Sequence, residues 1–419
     1  MMTKHNMRRL ASILVAALAF TATLLLPSSL LAQSPGRLGG TVTKRGGGNP
    51  SLGIVKFKGP EDTRKILEGV FVRCDWFAVV GGADADKATV QVKGEWQNVP
   101  TCVYNLDVEV QGRAPFRVTG NGPTAADAAG KAVDGVLRQL FKVPALCNCP
   151  IVYTLHAQQN VKELFSYTLA SGQSERLTHN NAISTEASWG HAGALVYTLI
   201  KSNGIYVILM DVKRQRQRII SNSKGLNSSA ALSRDGRYAA IPLSLGKQVD
   251  LYLIDLAQPK EPPCRLTSDR DVESSPVFSP DGKRLCYVSD KSGRPQLYII
   301  PLEGGKAAGK AARLQLGGGE CVSPDWSFNN MLCFAQRVSS GHYVISVLDM
   351  NTQDAQPMVV TDAAGSWEAP TWAPDGRHIA CSRQSGGKQD LYLVDSVNHT
   401  FRQLTSGPKV SLPAWAPAR

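Results

Sequence analysis

The chain has 419 residues, with 46 Lys plus Arg against 34 Asp plus Glu and a formal charge of +12. At 43% hydrophobic and 19% charged, with 38 Gly and 24 Pro, it is not a disordered, collagen-like, coiled-coil or polytopic membrane protein. Nine cysteines are too sparse for a disulfide scaffold, and an odd number cannot all pair within the chain.

Residues 1–9 carry Lys4, Arg8 and Arg9 and no acid, an apolar run follows from Leu10 to Leu26, and Ala32 precedes Gln33. A basic start, an apolar stretch and a small residue at the boundary read as a secretory signal peptide over 1–32. The alternative is an uncleaved anchor, but the 17-residue run is short for a span of about 20. No Cys stands at the boundary to carry a lipid. Cleavage would remove Lys4, Arg8 and Arg9 alone, taking the charge from +12 to +9. Residues 33–50 then form a flexible, Gly-rich N-terminal segment.

Residues 51–145 read as a small α/β domain. Strands are expected at Gly53–Phe57, Trp76–Val80, Ala88–Trp96, Tyr104–Val110 and Phe116–Val118. A first helix spans Glu61–Arg73, with Ile66, Leu67, Val70 and Phe71 on one face. A second spans Thr124–Phe141 with an apolar stripe from Ala125 to Leu140, and Thr124 with Asp127 forms a capping box. Val143–Cys149 is the linker.

From residue 150 onward the sequence repeats. Trp189, Leu232, Phe278, Trp326, Trp372 and Trp415 close equivalent fragments spaced 43, 46, 48, 46 and 43 apart. Turns such as Ser233-Arg234-Asp235-Gly236, Ser279-Pro280-Asp281-Gly282 and Ala373-Pro374-Asp375-Gly376 follow, then a second apolar strand. A third strand of the type Asp250-Leu251-Tyr252-Leu253-Ile254-Asp255 and a fourth ending near Leu-Thr complete the unit. Four short strands in about 45 residues make a propeller blade. Strands two to four of one blade begin at Ile151, and Ser411–Trp415 supplies its missing first strand. The expected fold is therefore multidomain, an N-terminal α/β domain followed by an all-β six-bladed β-propeller over 150–419, closed by its C-terminal strand.

Chemistry-bearing motifs are few. Gly304–Lys310 imitates a phosphate loop but lies in a hairpin, and Ala311 lacks the hydroxyl that magnesium requires. Gly120-x-Gly122-x-x-Ala125 imitates a dinucleotide fingerprint but reads as a Gly turn before a helix N-cap, because no βαβ unit follows. There is no Gly-x-Ser-x-Gly elbow, and the histidines, His378 among them, read as surface or packing residues rather than ligands. Cys286, Cys333 and Cys381 occupy equivalent second strands and read as buried hydrophobes, whereas Cys74 with Cys102 is a candidate bridge in an oxidising compartment. Lys213–Arg218 reads as a solvated outer strand, and no catalytic, cofactor-binding or metal residue is expected.

The stretch Val288-Ser289-Asp290-Lys291-Ser292-Gly293-Arg294-Pro295-Gln296-Leu297-Tyr298, the following Gly304-Gly305 and the ending Leu412-Pro413-Ala414-Trp415-Ala416-Pro417 resemble the TolB family. These are the periplasmic propellers of the Tol-Pal envelope system, and the order of domains matches theirs. The resemblance implies a non-enzymatic periplasmic adaptor that supports envelope integrity and constriction. It is expected to be monomeric apart from its complexes, without cofactor, nucleic acid or stable membrane insertion after cleavage. It implies a Pal-like outer-membrane lipoprotein at the propeller mouth, here Glu186, Leu226, Asn227, Ser229, Glu273, Ser274, Glu320, Trp367 and Glu368. Acids around one exposed Trp suit a partly basic partner. It also implies a TolA-like inner-membrane partner on the N-terminal segment, here Thr41, Val42, Thr43, Lys44 and Arg45. This segment departs from the family by lacking acids, and the domain is shorter between Val80 and Ala88, where the family has a second helix. The alternative reading is a periplasmic propeller lyase or hydrolase acting on an anionic polysaccharide.

Overall fold

The computed structural model describes residues 48–190, 193–245, 248–339, 341–407 and 409–418. The signal-peptide reading over 1–32 and the segment Thr41, Val42, Thr43, Lys44 and Arg45 lie outside the described residues.

The front layer is a five-stranded sheet in the order β2-β1-β3-β4-β5, built from β1 (Ser51–Lys58), β2 (Ala78–Val80), β3 (Val90–Asn98), β4 (Cys102–Val110) and β5 (Phe116–Gly122). β1 runs parallel to β2 and β3, and β3 to β5 form an antiparallel meander. Alternate residues of the meander are buried because one face meets helices α1 (Glu61–Cys74) and α2 (Ala125–Phe141). Leu67, Val70 and Phe71 of α1 join Ala132, Val133, Val136 and Leu137 of α2 in this core. The strand expected from Trp76 starts only at Ala78. Asp75 turns left-handed (φ 60°) to end α1, and Trp76 and Phe77 drop into the core instead. The region between Val80 and Ala88 holds a 3-10 helix, Gly82–Lys87.

Gly120 and Gly122 lie within β5, not in a turn before the helix. A Cβ on Gly120 would stand 2.1 Å from the Ala128 carbonyl oxygen, so glycine is needed for α2 to approach the sheet. Thr124 caps α2 by accepting from the Asp127 N–H at 3.1 Å. Asp127 answers the Thr124 hydroxyl (2.7 Å) rather than its backbone N–H, so the box is closed through side chains.

The rest of the chain forms antiparallel meanders with a β-propeller fold. The first joins Val410–Trp415, Ile151–Gln158, Val161–Tyr167 and Ser174–Arg176. The second runs through Ile183–Trp189, Ala194–Lys201, Gly204–Asp211 and Arg216–Ser221, and one bridge, Lys162 with Ile183, joins it to the first. The third has Ala231–Leu232, Tyr238–Leu243, Asp250–Asp255 and Cys264–Arg265; the fourth has Glu273–Phe278, Arg284–Ser289, Gln296–Glu303 and Ala312–Arg313. The fifth has Cys321–Trp326, Met331–Arg337, Tyr343–Asp349 and Met358–Val359; the sixth has Ser366–Trp372, His378–Ser385, Lys388–Asp395 and Thr400–Gln403.

Each sequence signature has a local physical cause. Thr178, Thr267, Thr361 and Thr405 accept a third-strand N–H, from Leu164, Leu251, Ile345 and Leu391, at 2.9, 2.9, 2.9 and 3.0 Å. The Leu-Thr ending is thus a clasp that holds a short outer strand. In the turns, Ser233, Ser279 and Ser327 accept the N–H of Tyr238, Arg284 and Met331 at 2.9 Å.

Front layer and propeller share one hydrophobic cluster, in which Leu137 and Leu146 meet Tyr153, Tyr167, Leu391 and Trp415. A polar clasp reinforces it. Arg402 donates to the Val72 carbonyl and to Asp75 at the end of α1, and the Trp76 indole donates to Asp375 at 3.0 Å. Arg377 binds Asp395 at 2.6 Å and Asn49 at 2.6 Å. The expected Cys74–Cys102 bridge is not present: Cys74 is buried at the end of α1 with its thiol donating to the Phe71 carbonyl (3.2 Å), whereas Cys102 is half-exposed beside Asn98. Burial pushes the Cys74 thiol up to about 12, leaving it protonated and unreactive. No helix among the described residues is long and apolar enough to cross a membrane.

Candidate functional site: the propeller mouth

Each innermost strand, or in the third meander the residue two before it, has one non-glycine residue in the left-handed region: Glu186 (φ 55°), Ser229 (52°), Ser275 (49°), Ser323 (52°), Ala369 (48°) and Leu412 (52°). These lie three residues before the repeated Trp, Leu or Phe, so they recur at the same 43, 46, 48, 46 and 43 spacing. The strand register slips beside five of them, so each is a bulge that re-aims the strand. Left-handed backbone costs these residues on the order of 1 kcal/mol each, and such strain persists where surrounding structure fixes it. The bulge residues and Trp189, Leu232, Phe278, Trp326, Trp372 and Trp415 together line a central cavity of ≈ 350 Å³. The loops that lead into these strands are those expected at the mouth.

The residues expected there divide by what they already hold. Glu186 accepts the Thr198 hydroxyl and the Ser229 N–H, both at 2.9 Å, and so ties the second meander to the third. Glu320 accepts from Tyr343 (2.7 Å) and Arg337 (3.3 Å). Asn227 is buried and donates to the Ile205 carbonyl at 2.9 Å. Leu226 is half-buried, its N–H bound by Ser244 at 2.9 Å on the loop after Tyr238–Leu243, where exposed Leu245 follows. Glu368 is half-buried, and burial pushes its carboxyl up to about 7.

Trp367 departs from expectation, being 0% exposed rather than a mouth hot spot. Its indole donates to Asp362 at 3.1 Å, Tyr392 and Phe401 meet it edge-on, and the Arg383 guanidinium lies 4.7 Å above the ring. The cause is positional. Two residues before each left-handed residue stand Ser184, Asn227, Glu273, Cys321, Trp367 and Val410, all buried.

Glu273 is the one charged type at that position. It is 0% exposed, accepts from Thr267 at 3.1 Å through one oxygen, and leaves the other without a partner. Ser289 and Gln296 lie on the same cross-strand rung, and the Gln296 side-chain oxygen is also unpartnered, as are the hydroxyls of nearby Ser274 and Tyr287. Burial pushes the Glu273 carboxyl up to about 8; Asp250 and Asp269 add to the rise, against Thr267 and Lys291. Glu163, equally buried, shows the contrast: Arg176 (3.0 Å), the Asn181 N–H (2.7 Å), Thr178 and Ser184 all serve its oxygens.

Asp75, His378 and Asp395 bring ligand-type atoms within 4.8 Å of one another. Asp395 is bound by Arg377, Asp75 by Arg402, and His378 Nδ1 lies 2.6 Å from Asp375. Two guanidinium groups already neutralise the carboxylates, so the cluster fits the front-to-propeller clasp rather than a cation. His378, expected at the surface or in packing, is fully buried within that clasp. Leu245 on a loop between second and third strands, Tyr343 at the start of a third strand and Asp269 on the loop after a fourth carry no repeat signal that marks them in the sequence.

Fold and site together define a β-propeller protein with an α/β layer packed against it and bulged inner strands lining a central cavity. The family profile described as the TolB beta propeller domain matches residues 191–419, and the chain belongs to that family. Among curated relatives, the Tol-Pal system protein TolB of Francisella tularensis subsp. holarctica is 25% identical over 220 residues, 49% of each chain. That of Helicobacter pylori is 23% identical over 224 residues, 52% of each chain. The chain spans about half the length of the curated relatives it matches. TolB from Acinetobacter baumannii has the same fold at 19% identity, with a TM-score of 0.78 over 90% of this chain and 99% of that one. A putative TolB from Agrobacterium tumefaciens aligns with a TM-score of 0.50 at 14% identity over 64% of this chain and 94% of that one.

Proposed function

We propose that this protein is a non-enzymatic periplasmic adaptor of the Tol-Pal type, exported by residues 1–32, that seats a Pal-like lipoprotein on the propeller mouth. In this reading the meanders are six blades in a ring closed by Val410–Trp415, residues 51–145 are the front domain and 150–419 the propeller. The single observation that carries it is the left-handed residue recurring three positions before each closing Trp, Leu or Phe of a TolB-family chain; in this reading it sets six loops around one opening. Glu186, Leu226, Ser229, Ser274, Glu320 and Glu368 surround that opening; Leu245 adds apolar contact, and buried Asn227, Glu273 and Trp367 act only through packing. A TolA-like inner-membrane partner takes the N-terminal segment by strand addition through Thr41–Arg45. Asn49, held by Arg377 and Asn398, would anchor the end of that segment on the propeller. Together these contacts would link the outer membrane to an energised inner-membrane complex and support constriction at division.

A polysaccharide lyase or hydrolase would need acids, bases or cations converging in the channel. The cavity wall is mainly Trp, Leu, Phe, Pro, Ala and Ser; among the described residues Arg234 is its single cation, and its carboxylates Glu186 and Asp325 already accept the N–H groups of Ser229 (2.9 Å) and Trp372 (2.6 Å). Affinity capture of the exported protein from its own envelope is the test. The adaptor reading requires an OmpA-like lipoprotein in the captured material, and its absence under conditions that keep such lipoproteins soluble would overturn it.

A further inference from the structure

The outer strands of the propeller are uneven. Five are short, with three residues in Ser174–Arg176, two each in Cys264–Arg265, Ala312–Arg313 and Met358–Val359, and four in Thr400–Gln403. Short edges offer little backbone for another chain to pair with, which is the usual protection against edge association. The second meander breaks this pattern. Its outer strand, Arg216–Ser221, has six residues, ends its sheet and pairs only with Gly204–Asp211. Arg216 to Arg218 follow a regular register opposite Asp211 to Leu209, and the one slip lies beyond Ile219. Residues 213–219 are all exposed, and Ile219 is an aliphatic side chain at 54% exposure.

The edge is also strongly charged. Lys213, Arg214, Arg216 and Arg218 fall within six residues. Among the described residues, Arg214 alone of these is in an ion pair, with Asp211 at 2.8 Å. Arg216 and Arg218, two apart, project to one face, whereas Gln217 turns to the other and accepts from Tyr197 at 3.2 Å. Positive side chains repel a second copy of the same edge, so the charge does not simply blunt the strand; it selects what can pair with it.

We propose that the outer edge of the second meander is a docking site for an acidic extended segment of an envelope partner. The segment adds as a further strand alongside Arg216–Ile219, setting alternate Asp or Glu residues against Arg216 and Arg218 and an aliphatic residue against Ile219. Backbone hydrogen bonds supply the affinity and the charge pattern supplies the choice. The site lies on the rim of the ring, apart from the mouth, and does not depend on what the mouth binds.

The test uses the whole exported protein, a blocked seven-residue Glu-Val repeat peptide and its Lys-Val counterpart. Fluorescence anisotropy measures binding and hydrogen exchange reports the amides of 216–219. The acidic peptide is expected to bind, to weaken as salt rises and to slow exchange at these amides, while the lysine peptide does neither. In the double variant Arg216→Glu/Arg218→Glu the preference reverses by about tenfold, a result that misfolding cannot produce. Equal binding of both peptides, an unchanged preference in the double variant, self-association through this edge, or protection by anionic phospholipid vesicles but not by the acidic peptide would each overturn the proposal.

Discussion

Glu273→Gln tests the mouth most sharply, because it keeps the shape of the side chain and removes only its ability to ionise. In the folded protein the Glu273 carboxyl titrates at about 8, and in the unfolded chain at the ordinary 4.5. Between those values the folded state holds a proton that the unfolded chain has released, so wild-type stability falls as pH rises from about 4.5 to about 8. Each unit costs about 1.4 kcal/mol, so the loss reaches on the order of 3 kcal/mol at pH 7 and levels off above pH 8. The glutamine variant escapes this loss, and its amide can donate toward the unpartnered Gln296 oxygen. Urea unfolding from pH 4 to pH 8.5 is the assay. The variant should match wild type near pH 4 and exceed it by a margin that widens to pH 8. A difference that stays constant with pH, or a variant less stable throughout, would refute the picture of an uncompensated buried carboxyl.

Three further perturbations probe the frame around the mouth. Arg402→Ala removes the donor to Val72 and Asp75 and leaves a half-buried acid unpaired; it should cost about 2 kcal/mol and speed proteolysis within 143–149. Gly120→Ala drives a Cβ to 2.1 Å from the Ala128 carbonyl and should lower urea stability by about 2–3 kcal/mol. Burial opposes charge on both Asp375 and His378, yet their pairing prevails, holding the Asp375 carboxyl at about 2 and raising the His378 imidazole. Asp375 therefore contributes stability above about 4 that is lost on acidification, and His378 contributes below about 6.5 what is lost as pH rises through its raised pKa. Asp375→Asn should flatten both limbs of the thermal stability profile.

The repeat was legible because hydrophobic closure recurs: Trp189, Trp326, Trp372 and Trp415 mark inner strands whatever lies between them. The Leu-Thr and Asp-Gly signatures were also readable, since one hydroxyl or carboxylate meets one neighbouring N–H. The exposure of Trp367 was not. Loop-like neighbours place it at the mouth, whereas the strand that leads into left-handed Ala369 two residues on buries it against Tyr392 and Phe401. Side-chain type cannot report that φ, because Glu, Ser, Ala and Leu all adopt it here. Nor does sequence show that Glu186 and Glu320 are already committed within the ring while Glu273 is not. The clasp of Asp75, Trp76, Asp375, Arg377 and Arg402 joins residues about 300 apart, beyond any local pattern.

The central claim is that the mouth seats a lipoprotein. Its most direct measurement is calorimetric titration of the exported protein with the soluble domain of the OmpA-like lipoprotein from the same envelope, alongside Leu245→Asp, Glu368→Lys and the rim variant Arg216→Glu/Arg218→Glu. The account predicts one-to-one binding, weakened about tenfold or more by each mouth variant and unchanged by the rim variant. No binding, or full binding by both mouth variants, would contradict it.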